Sequence, residues 1–204
     1  MLYVKCRIAL LFLASLITLG VSIAQPTQPW FERVQLQMMV SSSYSINVNN
    51  PANDSNSYRS SDLEANRFLL DMVQISLQQI PTKANESGFR FDLAMGEVAR
   101  IYPTGFGSCG DYTINQAYIS YIAPMGKGLR ADAGLFATHC GYEFMEGVDG
   151  WNDHATHSFR YAYAEPTVHS GLRFQYPWSE RFTTSFILAQ GAFSYRDNNK
   201  AASF

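Results

Sequence analysis

Apolar and polar side chains alternate along several short stretches of the chain. In residues 89–96 the odd positions are apolar, whereas Arg90, Asp92, Ala94 and Gly96 lie between them. Residues two apart share one face of a β-strand, so the alternation predicts a strand with two different environments. Similar patterns predict seven strands, at about 34–46, 63–79, 88–101, 112–123, 129–138, 168–176 and 181–191. For 112–123 the pattern does not decide which positions belong to the apolar side.

The segments between the predicted strands are of two kinds, which follow each other in turn along the chain. Short breaks lie at 81–88, 124–128 and 177–180, and long polar breaks at 47–61, 103–111 and 139–167. Short turns on one side and long loops on the other are typical of an outer-membrane barrel, whose turns are periplasmic and whose loops are extracellular. The fold class predicted here is therefore all-β, an antiparallel transmembrane β-barrel.

The predicted strand count is odd. Bacterial single-chain barrels have an even number of strands, eight or more. Seven strands leave two edges whose backbone groups cannot pair, at a cost of several kcal/mol for each group in lipid. We therefore expect the N-terminal part of a barrel that is not closed, in a truncated sequence that does not conduct alone. The alternative is a compact soluble sheet, which needs no closure.

The N-terminus has the pattern of a secretory signal. Lys5 and Arg7 precede an uncharged apolar run at 8–21, and Ser22 and Ala24 place small residues before a cleavage site. The run is shorter than the ~20 residues that a membrane-spanning helix needs. We predict a cleaved signal peptide at 1–24 and the barrel portion at 25–204, with export to the cell outer membrane.

The composition fits such a sheet. Charged residues make up 16% of the chain, below the ~25% of ordinary soluble domains. Aromatic residues reach 14% and the net charge is −2, so no basic surface for nucleic acid is expected. We predict no cofactor.

Several short motifs follow one another from about residue 89 to the C-terminus. They are Asn115-Gln116-Ala117-Tyr118, Gly134-Leu135-Phe136-Ala137, Gly141-Tyr142-Glu143, Ser158-Phe159-Arg160, the stretch 165–173, Gln190-Gly191-Ala192 and the stretch 196–200. In this order and spacing the chain resembles the OmpL-like β-barrel porin family. The resemblance implies a larger pore-forming barrel, with outer-membrane lipid and small hydrophilic solutes as partners. His139-Cys140 and the stretch 151–157 depart from the family's pattern.

In a porin the chemistry is selection, which inward-facing side chains set by their size and charge. We expect no catalytic residues, and no enzyme. The side chains predicted by parity to line the pore are Arg90, Asp92, Arg130, Asp132, His169 and Arg173. They could set up a transverse field across the wall, or they could be solvated wall charges that pair with one another.

The break at 139–167 is too long for a simple turn. It carries Glu143, Glu146, Asp149 and Asp153 against Arg160. Folded into the lumen, it would place an acidic constriction opposite the arginines of the wall. The alternative is a surface loop that packs on a neighbouring protomer of a homo-oligomer.

Two cysteines follow the predicted signal peptide. Across the turn at 124–128, Cys140 is expected to lie opposite Asp111, two residues from Cys109. They could form a disulfide in an exported protein, or remain two unpaired thiols. His154 and His157 are three apart, a spacing that is common by chance, and we predict no metal site.

The leading hypothesis is an outer-membrane channel for passive diffusion. The alternatives are a secreted soluble all-β binding protein, and an outer-membrane enzyme or adhesin on a barrel scaffold. A soluble sheet would point its apolar residues inward, and a membrane barrel would reverse this.

Overall fold

The computed structural model describes residues 30–102, 111–143, 145–150, 152, 154 and 156–190 of the chain. The predicted signal peptide, Cys109 and Asp153 lie outside these residues. The chain divides into two compact units, 1–34 and 35–204. In the first unit the described part is a short 3-10 helix, Trp30–Arg33.

The second unit is built on one antiparallel sheet. Its seven strands pair in sequence order, and each neighbour along the chain is a neighbour in the sheet. They are β1 Gln35–Tyr44, β2 Phe68–Gln79, β3 Ser87–Met95, β4 Tyr112–Ala123, β5 Leu129–Ala137, β6 Val168–Ser179 and β7 Phe182–Ala189. The predicted all-β fold with seven strands is confirmed. Within the described residues β1 and β7 each pair on one side, so the sheet is not closed.

Consecutive pairing places alternate connections at opposite ends of the sheet. The short turns after β2, β4 and β6 lie at one end, which we call the turn end. The long connections after β1, β3 and β5 lie at the other, the loop end. The loop end also carries two short helices, α1 (Glu97–Ile101) and α2 (Phe159–Ala164). No helix in the described part of the chain is long and apolar enough to cross a membrane.

Several predicted strand boundaries are wrong: β2 begins at Phe68 rather than at 63, and β6 extends to Ser179, through most of the predicted turn at 177–180. The third strand was expected to continue to residue 101, but it ends at Met95 and residues 97–101 form α1. Gly96 has φ +103°, and a Cβ there would lie 2.8 Å from the backbone oxygen of Leu70. The chain turns at this glycine, and an ion pair between Glu97 and Arg100, three residues apart, lies along the helix that follows.

A β-bulge explains why the sequence pattern of β4 was undecided. Asp92 pairs with Gln116 and Leu93 pairs with Ile114, so Asn115 is the extra residue. The bulge shifts the alternation by one position. Thr113 and Gln116 therefore lie on the same face, which a regular strand would not allow. The pairing of β1 with β2 shifts in a similar way opposite Ser41 and Ser42 of β1. This shift interrupts the alternation of β2.

The two faces of the sheet differ in chemistry. On the face that we call polar, Ser76, Asp92 and Asp132 are at most 1% exposed. On the opposite, apolar face, large side chains are open: Leu36 is 64% exposed and Ile119 66%. Leu135, near the loop end, is an exception at 4%. Charged side chains are therefore buried while most of the large apolar ones are not, the reverse of a soluble globular protein.

Candidate functional site on the polar face

Arg90 and Asp92 lie at the centre of a hydrogen-bonded group on the polar face. They are two residues apart on β3, so both point to this face. Arg90 Nη2 lies 2.8 Å from Asp92 Oδ2, and Arg90 is 9% exposed. Ser76 Oγ on β2 donates to Asp92 at 2.5 Å, and Gln116 Nε2 on β4 donates at 2.8 Å. Each neighbouring strand thus gives one donor to the buried carboxylate.

A second group of the same plan lies on β5. Arg130 Nε donates to Asp132 at 2.8 Å, and Ser120 Oγ on β4 donates to it at 2.6 Å. Here the neighbouring strand β6 adds a second guanidinium, because Arg173 lies directly opposite Asp132 in the register. Arg173 Nη2 is 2.7 Å from Asp132 Oδ2. One carboxylate therefore holds two cations.

Arg173 is also held by aromatic rings. Its guanidinium carbon lies 4.7 Å from the centre of the Phe136 ring and 5.5 Å from that of Tyr118. Rings at these distances attract a cation through their quadrupole. The contacts fix the orientation of Arg173 toward Asp132.

The connection between β5 and β6 folds back onto the polar face. Asp149 Oδ2 lies 2.6 Å from Arg90 Nη2, and Asp149 Oδ1 accepts from Arg90 Nη1 at 2.9 Å. Val148 N donates to Gln74 Oε1 on β2 at 2.9 Å. Gly147 packs so closely on Gln74 that a Cβ would lie 2.3 Å from that oxygen. Residues 145–150, which we call the inner segment, therefore lie against the wall at β2 and β3.

A cavity separates part of the inner segment from the wall. Gln74, Asp92 and Gln116 line it from the sheet, and Met145, Glu146 and Asp149 line it from the segment. The cavity therefore has carboxylates on both sides and the carboxamides of Gln74 and Gln116 on the wall.

The other acidic residues of the connection have different surroundings. Burial raises the pKa of the Glu146 carboxyl above its usual range. Glu143 accepts hydrogen bonds from the backbone N–H and the hydroxyl of Ser158, the N-cap of α2. Arg160 lies on the exposed side and pairs with Glu165 at 2.8 Å. Of the predicted constriction residues, Asp149 thus reaches the wall, whereas Glu143 and Arg160 have partners within the connection.

Packing of rings anchors the connection at the loop end. Tyr161 of α2 is 2% exposed and stacks on His157, with ring centres 4.1 Å apart. Tyr102, just after α1, meets both rings edge-on at 5.6 Å. Burial raises the pKa of the Tyr161 hydroxyl above its ordinary value. These contacts hold the part of the connection that follows the inner segment, at the loop end of the sheet.

Cys140 and His169 lie at the loop end. His169 points to the polar face, is 7% exposed, and has its Nε2 3.0 Å from Thr138 Oγ1. Cys140 has an exposed, free thiol. Because Cys109 lies outside the described residues, the pairing of the two cysteines stays a prediction.

The two charged groups carry opposite net charge. The β3 group, Arg90, Asp92 and Asp149, has one guanidinium and two carboxylates, a formal charge of −1. The β5 group, Arg130, Asp132 and Arg173, has two guanidinium groups and one carboxylate, a formal charge of +1. The charges pair within each group, yet the polar face retains an acidic side and a basic side.

Sequence reasoning missed the uncharged members of this face. Gln74, Ser76, Gln116 and Ser120 are all at most 8% exposed, and three of them donate to Asp92 or Asp132. A signal was present in β2, where Gln74, Ser76 and Gln78 alternate with apolar residues. In β4 the bulge at Asn115 concealed it.

Comparison with known proteins gives one family. The family model described as "Putative beta-barrel porin-2, OmpL-like" matches residues 33–204. The match begins just before β1 and covers all seven strands. No curated protein matches the chain. No solved structure matches it either.

Proposed function

Since this chain belongs to the OmpL-like β-barrel porin family, we propose that it forms a channel for the passive diffusion of small hydrophilic solutes across the outer membrane. The single observation that carries the proposal is the polar face, where buried charges of the wall meet a loop carboxylate. A lumen needs such a lining, since ions and polar solutes cross only where side chains can replace part of their water.

The apolar face supports a lipid-facing surface. Leu36, Ile119 and Phe186 are all more than half exposed, on three different strands. In water such a surface would drive association, whereas acyl chains can cover it. The strands have 8 to 12 residues, close to the ~9–11 that a tilted strand needs to cross a bilayer.

Aromatic residues at the turn end fit an interface with lipid headgroups. The rings of Tyr176 and Trp178 meet edge-on, 4.7 Å between centres, beside the turn after β4. Lys127 Nζ of that turn donates to the backbone oxygen of Trp178 at 2.7 Å. Tyrosine and tryptophan are enriched where one end of a ring is apolar and the other is wet. We assign this end to the periplasmic side.

The inner segment supplies the constriction in this proposal. Asp149 reaches Arg90 across the polar face, and its side chain stays 55% exposed. A carboxylate held in this way can still meet passing ions. With the basic β5 group farther along the wall, it forms a transverse field that solutes of either charge must cross.

The test is the conductance of the protein as purified from outer membranes. Its length and its state of assembly are then those found in the cell. In planar bilayers we expect stepwise openings with a linear current–voltage relation. The preparation must contain folded barrel, which heat-modifiable migration in a gel detects. Folded protein that gives no conductance above that of the lipid would overturn the channel.

A second measurement checks the orientation of the sheet. Ser185 and Phe186 are adjacent on β7, both are exposed, and they point to opposite faces. A fluorophore on Phe186→Cys should be quenched by a lipid-soluble nitroxide. The same fluorophore on Ser185→Cys should be quenched by aqueous iodide. In the soluble alternative neither position meets lipid, so the fluorophore on Phe186→Cys would escape the nitroxide.

A further inference from the structure

Three groups that can bind metals meet where the chain leaves β5 at the loop end. One ligand atom from each of His139, Cys140 and His169 lies within 4.8 Å of the other two. Cys140 Sγ is 4.0 Å from His139 Nε2. His169 comes from the neighbouring strand β6, so the cluster joins two strands.

His169 carries an unsatisfied nitrogen. The residue is 7% exposed, and its Nε2 is engaged with Thr138 Oγ1 at 3.0 Å. Its Nδ1 is buried and has no hydrogen-bond partner among the described residues. A buried imidazole nitrogen normally finds a partner. In this position the free nitrogen suits a metal ion.

We propose that His139, Cys140 and His169 bind one divalent transition-metal ion of the Zn²⁺ class. Two imidazoles and a thiolate are the ligands that such an ion prefers, and three protein ligands leave a fourth position for water. Bonds of about 2.0–2.3 Å require the donors to approach to roughly 3.5 Å. His139 and Cys140 are exposed and can make this small movement.

Thr138 is the positioning residue of this site. With the metal on His169 Nδ1, the Nε2–H donates to Thr138 Oγ1, which fixes the tautomer of the ring. Thr138 Oγ1 also accepts the backbone N–H of Cys140, at 3.1 Å. One hydroxyl therefore holds both the imidazole and the cysteine. Metal-bound histidines regularly give their second N–H to such a partner.

A carboxylate lies beside the cluster. Glu165 packs on Gly141, where a Cβ would lie 2.0 Å from Glu165 Oε2. That oxygen is buried and has no hydrogen-bond partner in the described part of the chain. Gly141, with φ +87°, lets the chain turn directly after Cys140 toward this carboxylate. The other oxygen of Glu165 pairs with Arg160, so the carboxylate is already partly neutralised and the proposal rests on the three ligands themselves.

The site would fasten the connection between β5 and β6 to the polar face. His139 and Cys140 are the first residues of that connection after Thr138, and His169 belongs to the wall. A metal there also uses the thiol that a disulfide with Cys109 would need. Metal binding and this disulfide therefore exclude each other.

The experiment measures metal binding by the protein purified from outer membranes and kept reduced. Replacing Cys109 by serine leaves Cys140 as the single thiol of the given sequence after the predicted signal peptide. We expect one Zn²⁺ per chain in equilibrium dialysis. Co²⁺ should give a thiolate-to-cobalt charge-transfer band. Cys140→Ser should remove the band, and His169→Ala should weaken Zn²⁺ binding at least about tenfold.

Two further variants separate this site from adventitious binding. Thr138→Val should weaken Zn²⁺ binding by about tenfold while the cobalt–thiolate band persists at saturation, as expected of a positioning residue. His154→Ala, an exposed histidine of the same connection, should change nothing. Reduced protein that binds no Zn²⁺, or binding unaffected by both Cys140→Ser and His169→Ala in barrels of unchanged heat-modifiable migration, would overturn the proposal.

Discussion

The β3 group and the β5 group begin from the same three-residue pattern and end with opposite charge. In each, an arginine and an aspartate two apart pair on the polar face, and a serine of the preceding strand donates to the aspartate. The third charged partner differs. In the β3 group it is the carboxylate of Asp149 from the inner segment, and in the β5 group it is the guanidinium of Arg173 from the wall.

One local motif can therefore give two groups of opposite net charge. The Arg-x-Asp spacing dictates only the pair within a strand, because residues i and i+2 share a face. The net charge of each group depends on the third charged residue, which the fold brings to the pair from elsewhere in the chain. A strand neighbour gives a rigid partner, whereas a loop gives one that can move away.

The largest expected effect comes from removing the shared carboxylate of the β5 group. Asp132→Asn leaves Arg130 and Arg173 facing each other with no counter-charge in a poorly solvated place. Breaking a buried pair costs about 3–5 kcal/mol, and the partial exposure of both arginines puts this case at about 3 kcal/mol. Urea unfolding in lipid vesicles, followed by tryptophan fluorescence, measures it.

Asp54→Asn is the matched control for that substitution. Asp54 is exposed and has φ +51°, a conformation that asparagine also tolerates. Its unfolding should be unchanged. If Asp132→Asn were as stable as this control, the β5 group would not depend on its carboxylate.

The equivalent change in the β3 group should cost less. Asp92→Asn leaves Arg90 with Asp149, so the cation keeps a counter-charge. We expect a loss of about 2 kcal/mol in the free energy of unfolding, from hydrogen bonds of Ser76 and Gln116 that the amide cannot fully replace. The double substitution with Asp149→Asn should cost more than the two single losses combined. Simple additivity in the unfolding free energies would argue against the shared guanidinium.

Removing the loop carboxylate alone should alter selectivity and hardly alter stability. Asp149 is more than half exposed, and pairs of that kind contribute about 0.5 kcal/mol or less. Asp149→Asn makes the β3 group neutral while the β5 group stays positive. The reversal potential in a salt gradient should therefore shift toward anion permeation relative to the unsubstituted protein and to Asp54→Asn. An unchanged reversal potential would place Asp149 outside the ion path.

The sequence was informative wherever periodicity alone decides the structure. Strands β4 and β5 begin where the alternation predicts, and β4 also ends there. The pairing of Arg90 with Asp92 follows from the same period of two. The register is mostly accessible too, because short turns fix which residues face each other.

The remaining features of the fold and the site depend on local and long-range contacts that a period of two does not predict. The bulge at Asn115 places Thr113 and Gln116 on the same face, and nothing in the local alternation marks it. Gly96 ends β3 through a close approach to a neighbouring strand. The path of the inner segment to Arg90 is a long-range contact, so the sequence offered Asp149 only as one of several acidic residues.

The smallest expected effect tests how freely the inner segment can leave the wall. Burial raises the pKa of Glu146, so its ionised form is disfavoured in the folded connection. The stability that a neutral Glu146 contributes is present below the ordinary carboxyl pKa of ~4.3 and is lost as the pH rises through the raised value. Glu146→Gln stays neutral, so the variant should resist proteolytic cleavage of the connection better than the unsubstituted protein at neutral pH. At mildly acidic pH the cleavage rates of the two proteins should converge.

Glu143→Gln is the contrasting variant, since it weakens the hydrogen bonds to Ser158 and should speed cleavage. Faster cleavage of Glu146→Gln at neutral pH would mean that the ionised carboxylate, beside His157 and Asn152, holds the segment in place.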